Sequence, residues 1–62
     1  MFIIHTIAKT VAQKMPTSSD RYDQIWTIKQ ELIEAGRDIL ATDRETIDDV
    51  LDILFNTYGF KG

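Results

Sequence analysis

Three stretches of this chain repeat apolar residues at helical spacing, and that periodicity constrains the fold more than any other feature. In the first stretch the apolar residues recur at every fourth position: Ile3, Ile7, Val11 and Met15. This spacing places them on one side of a helix, and Pro16 ends the run because its ring cannot continue a helix. We predict a helix over residues 3–15. The β-branched residues within 2–8 leave a strand as the alternative at that end.

The second stretch has a wide apolar stripe. One row steps by three and four residues, through Ile25, Ile28, Leu32, Ala35 and Ile39. A second row lies beside it: Tyr22, Trp26, Ile33 and Leu40. A stripe of this width is typical of a helix that packs against two neighbours, and we predict a helix over residues 20–39. Gly36 either ends this helix early or lies inside it, and the continuing apolar phase favours the interior position.

Turn and capping signals mark the ends of the predicted helices. A hydroxyl within residues 17–19 is expected to cap the second helix by accepting a bond from a free N–H group. Residues 42–45 match the S/T-x-x-E capping box that starts a helix. Gly59 suits the left-handed position after a helix, and Phe60 is then placed to touch Phe55.

The third stretch completes an all-α prediction. Its apolar face comprises Ile47, Val50, Leu51, Leu54 and Tyr58, and we predict a helix over residues 43–58. The short link around residues 40–42 favours antiparallel packing of the second and third helices. We expect residues 1–62 to form one helical domain, a three-helix bundle built on an antiparallel helical hairpin.

The small size of the chain raises the question of what reinforces its core. A single core in a chain of 62 residues rarely contributes more than about 3–5 kcal/mol of stability. There is no Cys and one His, so neither a disulfide nor a multi-His metal site can form within one chain. Binding to a partner or to a second copy remains, and we include a homodimer among the expectations.

The acidic sequence Asp48-Asp49-x-x-Asp52 raises the question of a metal site. It resembles the aspartate-rich motif of isoprenoid synthases, whose carboxylates hold magnesium ions against a diphosphate. The chain has neither the length for such a cavity nor a second acidic motif to face the first. A calcium-binding loop of the D-x-[DN]-x-[DN]-G type is also missing. We therefore predict no metal and no cofactor.

These acids repel one another along the predicted helix. Glu45 and Asp49, like Asp48 and Asp52, are like-charged i, i+4 pairs, each of which costs about 0.2–0.5 kcal/mol. Three interpretations remain open. The acids form a solvated face, Lys9 and Lys14 compensate them within the fold, or a basic surface on a partner does so. The four acids Glu45, Asp48, Asp49 and Asp52 are therefore candidate partner-binding residues.

Two aromatic residues are further candidates for a partner contact. Phe2 falls off the apolar face of the first helix, so we expect it to be exposed or in a frayed end. Trp26 lies on the wide stripe of the second helix, which favours a core position. Trp is enriched at interface hot spots, so an exposed anchor is the alternative for Trp26.

Several function classes find no support in the sequence. There is no G-x-S-x-G, P-loop or G-x-G-x-x-G motif, and His5 has no nucleophile motif beside it, so we predict no enzyme. All ten acids lie within residues 20–54, and this acidic body argues against direct nucleic-acid binding. No apolar run approaches the length of a membrane span. We expect a cytoplasmic protein that binds neither nucleic acid nor membrane.

The leading functional hypothesis is a small acidic helical protein that regulates or inhibits a larger partner with a basic surface. This class is frequent among phage-encoded regulators, and one version of it mimics nucleic acid with carboxylates in place of phosphates. The alternative hypothesis is a homo-oligomerising structural or assembly subunit that uses its apolar faces.

Overall fold

A computed structural model describes residues 2–61, with side chains from residue 3 onward, and it confirms the all-α prediction. The first helix, α1, spans Phe2–Lys14, α2 spans Arg21–Glu34, and α3 spans Arg44–Thr57. A short 3₁₀ turn at Leu40–Thr42 precedes α3. Residues 2–8 are helical, so the strand alternative for this segment is wrong.

The α1 helix ends just before Pro16, as its sequence predicts. Lys14 is the last helical residue, and the chain then turns, with the Ser19 N–H donating to the Pro16 carbonyl over 3.0 Å. The Ser19 hydroxyl donates to the same carbonyl over 2.7 Å. Because its hydroxyl is engaged in this turn, Ser19 does not cap the next helix.

The cap of α2 is Asp20, one residue beyond the expected range of 17–19. Its carboxylate accepts a hydrogen bond from the Asp23 N–H at 2.9 Å, which satisfies one of the free donors of the first turn. Asp is as good an N-cap as Ser, and the turn after Pro16 places Asp20 in the extended conformation that a cap requires.

The end of α2 corrects the predicted boundary at residue 39. Gly36 adopts φ +76° directly after the C-cap residue Ala35 and is not inside the helix. The Gly36 N–H donates to the Ile33 carbonyl at 3.0 Å, and the Arg37 N–H donates to the Leu32 carbonyl at 2.8 Å. This is the bonding pattern of a Schellman motif. The apolar spacing of the sequence continues to Ile39, but in the structure the Ile39 side chain is largely exposed.

The start of α3 also differs from the prediction, because the N-cap is Asp43 and the capping box at residues 42–45 does not form. Thr42 belongs to the 3₁₀ turn, and its hydroxyl donates to the Ile39 carbonyl at 2.9 Å. Asp43 instead accepts a bond from the Thr46 hydroxyl at 2.6 Å. The capping box required Thr42 as the N-cap, and this residue is instead part of the 3₁₀ turn.

At the end of α3, the predicted left-handed glycine is confirmed by φ +72° at Gly59. The next residue, Phe60, is buried in the core, and its N–H donates to the Leu54 carbonyl at 2.9 Å. Phe55, the partner that we expected for Phe60, is half-exposed and lies outside the core cluster.

The core lies where the three helices meet. Its buried apolar residues are Ile7, Ala8, Val11, Ile28, Leu32, Ala41, Ile47, Val50, Leu51, Leu54 and Phe60. The chain end after α3 lies beside the start of α2, where the buried amide of Gln24 donates to the carbonyls of Ser19 at 2.7 Å and Lys61 at 3.1 Å. The Lys61 N–H in turn donates to the Thr17 carbonyl at 3.0 Å. The end of α3 thus meets the start of α2, as an antiparallel hairpin requires.

We predict that Gly36→Ala lowers the free energy of unfolding by about 1–2 kcal/mol, because a Cβ is disfavoured in the left-handed region. No heavy atom lies within 4 Å of the added Cβ, so backbone strain is the whole of the expected effect. Urea unfolding measures it. The matched control is Gly36→Asn, which tolerates this conformation better and should cost less. Equal stability of Gly36→Ala and the wild type would contradict the left-handed helix end.

Candidate interaction surfaces

One side of α3 is acidic. Glu45, Asp48, Asp49 and Asp52 are all exposed, and we call this set the acidic face. The opposite side of the helix carries the buried residues Thr46, Ile47, Val50, Leu51 and Leu54. The helical repeat separates the two sets, because residues three and four apart share a side of the helix. The four acidic candidates from the sequence are therefore brought together on one surface.

The lysines of α1 do not compensate the acidic face. Lys14 forms an ion pair and hydrogen bond with Glu31 on α2, and its ammonium also lies 4.0 Å from the Glu34 carboxylate. Lys9 is exposed and takes part in no ion pair within residues 2–61. The hypothesis of relief by ion pairs with Lys9 and Lys14 is therefore wrong in this structure.

Arg44 gives the acidic face a weak local contact that the sequence interpretation missed. Its guanidinium lies 3.9 Å from the Asp48 carboxylate, four residues along the same helix. Both side chains are well exposed, and ion pairs of this kind contribute between zero and about 1 kcal/mol. Glu45, Asp49 and Asp52 form no ion pair in the part of the chain that the structure describes.

Glu31 is a buried charged residue that the sequence interpretation did not single out. It lies on the inward side of α2 with Gln24, Ile28 and Leu32. Its hydrogen bond with Lys14 is the main cause that raises the pKa of that ammonium above 10.5. Partial desolvation of Lys14 opposes the rise, and the negative charges of Glu31 and Glu34 add to it. Glu31 lies three residues after Ile28, and this spacing was the signal in the sequence that could have placed it on the inward side of α2.

The inward orientation of Gln24 and Glu31 leaves an apolar stripe of α2 facing solvent. Trp26 is 60% exposed, so the favoured core position for this residue is wrong, and its role as an interface anchor stays a prediction. Tyr22 and Ile33 are also exposed, and they lie on the same side of α2 by helical spacing. Trp26 is thus placed on a different helix from the acidic face.

Two shallow depressions flank the acidic face. One lies between α2 and α3 and is lined by Arg21, Gln24, Leu51, Asp52, Phe55 and Lys61. The other lies between α1 and α3 and is lined by Ile4, His5, Asp49 and Ile53. The acidic face therefore has a carboxylate at the edge of each depression, with partly exposed apolar side chains beside it.

The remaining predictions concern Phe2, a metal site and a membrane span. Phe2 is the first residue of α1, and its side chain lies outside the described part of the molecule. Among the described residues, no three acidic or histidine side chains are grouped so that they could hold a metal ion. Within the same range, every helix is too short or too polar to cross a membrane.

In comparisons with known proteins, no family model, no curated protein and no solved structure matches this chain.

We predict that Lys14→Met destabilises the protein at neutral pH, because it leaves the buried Glu31 carboxylate without its cation. The raised pKa of Lys14 in the folded state means that its contribution is full below pH 10.5. The contribution is lost as the pH rises through the higher folded-state value. Urea unfolding should therefore show a constant stability gap between wild type and Lys14→Met near neutral pH that closes above pH 10.5.

Lys9→Met is the control for this experiment, since Lys9 is exposed on the same helix and outside any described ion pair. It should leave stability near the wild-type value. A Lys14→Met protein as stable as Lys9→Met, or a stability gap that persists in strong alkali, would contradict the assigned role of the ion pair.

Proposed function

We propose that this protein is a small acidic binding module that regulates or inhibits a larger protein, whose basic surface docks on the acidic face of α3. One observation carries the proposal. Glu45, Asp49 and Asp52 are exposed without an ion pair to any residue in the range 2–61, and Asp48 has only a long contact to Arg44.

The proposal rests on the cost of this arrangement to the isolated protein. The i, i+4 pairs Glu45–Asp49 and Asp48–Asp52 each repel by about 0.2–0.5 kcal/mol. Asp49 and Asp52 lie beyond the first turn of α3, so the helix dipole gives them little compensation. A basic partner would remove this repulsion on binding, and complementary charge would also raise the rate of encounter.

The depressions beside the acidic face would supply the apolar part of the contact. Phe55 stands half-exposed at one depression, and Ile4 and Ile53 are partly buried at the other. Interfaces combine a few desolvated apolar anchors with charged residues at the rim. A partner that presents Lys or Arg beside an apolar residue would match this arrangement.

Phosphate-binding surfaces are one class of basic surface that fits. The four carboxylates from Glu45 to Asp52 are spread over about 10.5 Å of the axis of α3, which is roughly one charge per 3.5 Å. One nucleic-acid strand carries a charge every ~3.4 Å, so the acidic face could stand in for a short segment of a phosphate backbone. In that version the protein would inhibit its partner by occupying the partner's nucleic-acid site.

The test is charge reversal at two positions, Asp49→Lys together with Asp52→Lys. We expect the affinity for the partner, captured with the wild-type protein from the source cells and then purified, to fall at least about tenfold at low salt. The wild-type affinity should decrease as salt is raised, because exposed charge pairs are screened. Titration calorimetry with the purified partner measures both effects.

The matched control is Glu34→Lys together with Asp38→Lys, which changes the net charge equally at exposed acids outside the acidic face. Circular dichroism confirms that both variants fold. Equal binding by the acidic-face variant and the wild type would refute the proposal. An equal loss in both variants would show that net charge matters and that the acidic face does not.

A further inference from the structure

The exposed stripe of α2 has the spacing of a helix-pairing seam. Tyr22, Trp26, Lys29 and Ile33 follow one another by four, three and four residues, as successive a and d positions of a heptad do. At 3.6 residues per turn they fall within about 60° of arc, along about 16 Å of helix. We call these four residues the outer seam.

The outer seam is an apolar face that no described part of this chain covers. Tyr22 is 82% exposed, Trp26 is 60% exposed and Ile33 is 48% exposed. None of the three belongs to the core cluster or to the residues packed against it. Lys29, the one charged member, is exposed and takes part in no ion pair within residues 2–61.

We infer that the outer seam is a homodimer contact, in which α2 pairs antiparallel with α2 of a second copy. This inference does not rest on the proposed function, because the acidic face lies on α3. The choice of a second copy rests on the order of residues along the seam, which is complementary to itself when it is reversed.

In the antiparallel register, each a position faces a d position of the second copy. Tyr22 then lies opposite the second copy's Ile33, which places an aromatic ring against an aliphatic side chain. Trp26 lies opposite the second copy's Lys29, which places an ammonium group over an indole face. Cation–π contacts of this kind are most favourable with Trp. Both layers occur twice, as a twofold axis requires.

A parallel pairing of the same seam is much less favourable. It would place Lys29 against the second copy's Lys29 in the middle of an apolar contact, where like charges repel. It would also lose the contact between Trp26 and an ammonium. At the flank of the antiparallel pair, Asp23 comes close to Gln30 of the second copy, so no like charges oppose one another there. Charge therefore selects the antiparallel orientation.

The exposed area of the seam sets the expected strength of the dimer. With 150–250 Å² for a whole aromatic side chain, the exposed fractions of the seam residues amount to about 400 Å² per copy. A stable interface buries about 800 Å² per partner. The pairing therefore belongs to the weak, reversible class.

The first test uses the wild-type chain, in which Trp26 is the lone Trp and therefore reports on the seam directly. Sedimentation velocity from about 1 µM to about 500 µM should show a reversible shift from monomer to dimer. Over the same range, Trp26 emission should move to shorter wavelength and become protected from acrylamide. A monomer throughout this range would overturn the inference. A monomer whose Trp26 becomes protected only with a different protein would assign the seam to that protein and also overturn it.

The second test places one charge inside the seam and one outside it. Ile33→Asp should abolish the dimer, because it buries an unpaired carboxylate between the helices. Phe55→Asp is the matched control, since Phe55 is also half-exposed but lies on α3 outside the seam, and it should leave the dimer unchanged. A dimer that survives Ile33→Asp, or that Phe55→Asp disrupts equally, would overturn the seam assignment.

The third test measures the orientation and leaves the seam side chains intact, so it remains informative if Ile33→Asp fails to fold. The chain has no Cys, so single cysteines can be introduced on the flank. An equimolar mixture of Asp23→Cys and Gln30→Cys chains should give mainly the mixed product with a short bismaleimide. Equal or greater yields of the two self-linked products would overturn the antiparallel register. Loss of partner capture in the acidic-face variant with an unchanged dimer would separate this inference from the proposed function.

Discussion

The contact between Lys14 and Glu31 joins α1 to the inward side of α2, and it bears on both surfaces of this protein. A carboxylate that is buried between two helices needs a cation, and Lys14 at the end of α1 supplies it. With Glu31 and Gln24 turned inward, the helical repeat turns Trp26 and Tyr22 outward. The same contact engages Lys14 on α2, so this lysine is not available to the acids of α3.

The two surfaces that result differ in chemistry and lie on different helices. The acidic face of α3 suits a basic partner, whereas the outer seam of α2 suits another helix. A dimer through the outer seam would carry two acidic faces, and two linked sites raise the effective affinity for a partner that can engage both. A small chain with a limited core could in this way combine self-association with binding of a larger protein.

Periodicity in the sequence predicted the three helices, because local apolar spacing decides which residues can share a core. The antiparallel hairpin was predicted from a short link around residues 40–42, whereas the link in the structure is longer and covers residues 35–43. Periodicity failed where backbone geometry overrides the apolar spacing. The apolar phase runs through Gly36 to Ile39, but the left-handed turn at Gly36 ends α2 at Glu34. The sequence also grouped the four acids correctly on one face. It could not show that Lys14 contacts α2, since the packing of α1 depends on contacts distant in sequence.

The central claim is that Glu45, Asp49 and Asp52 form no ion pair within residues 2–61 and therefore repel their neighbours on α3, and their effect on stability tests it most directly. Asp49→Asn together with Asp52→Asn removes both like-charged pairs, so the free energy of unfolding should rise by about 0.4–1 kcal/mol at low ionic strength. Raising the salt concentration should diminish this gain by screening. A loss of stability on the same double substitution would show that Asp49 and Asp52 have favourable contacts within the protein, and it would contradict the account.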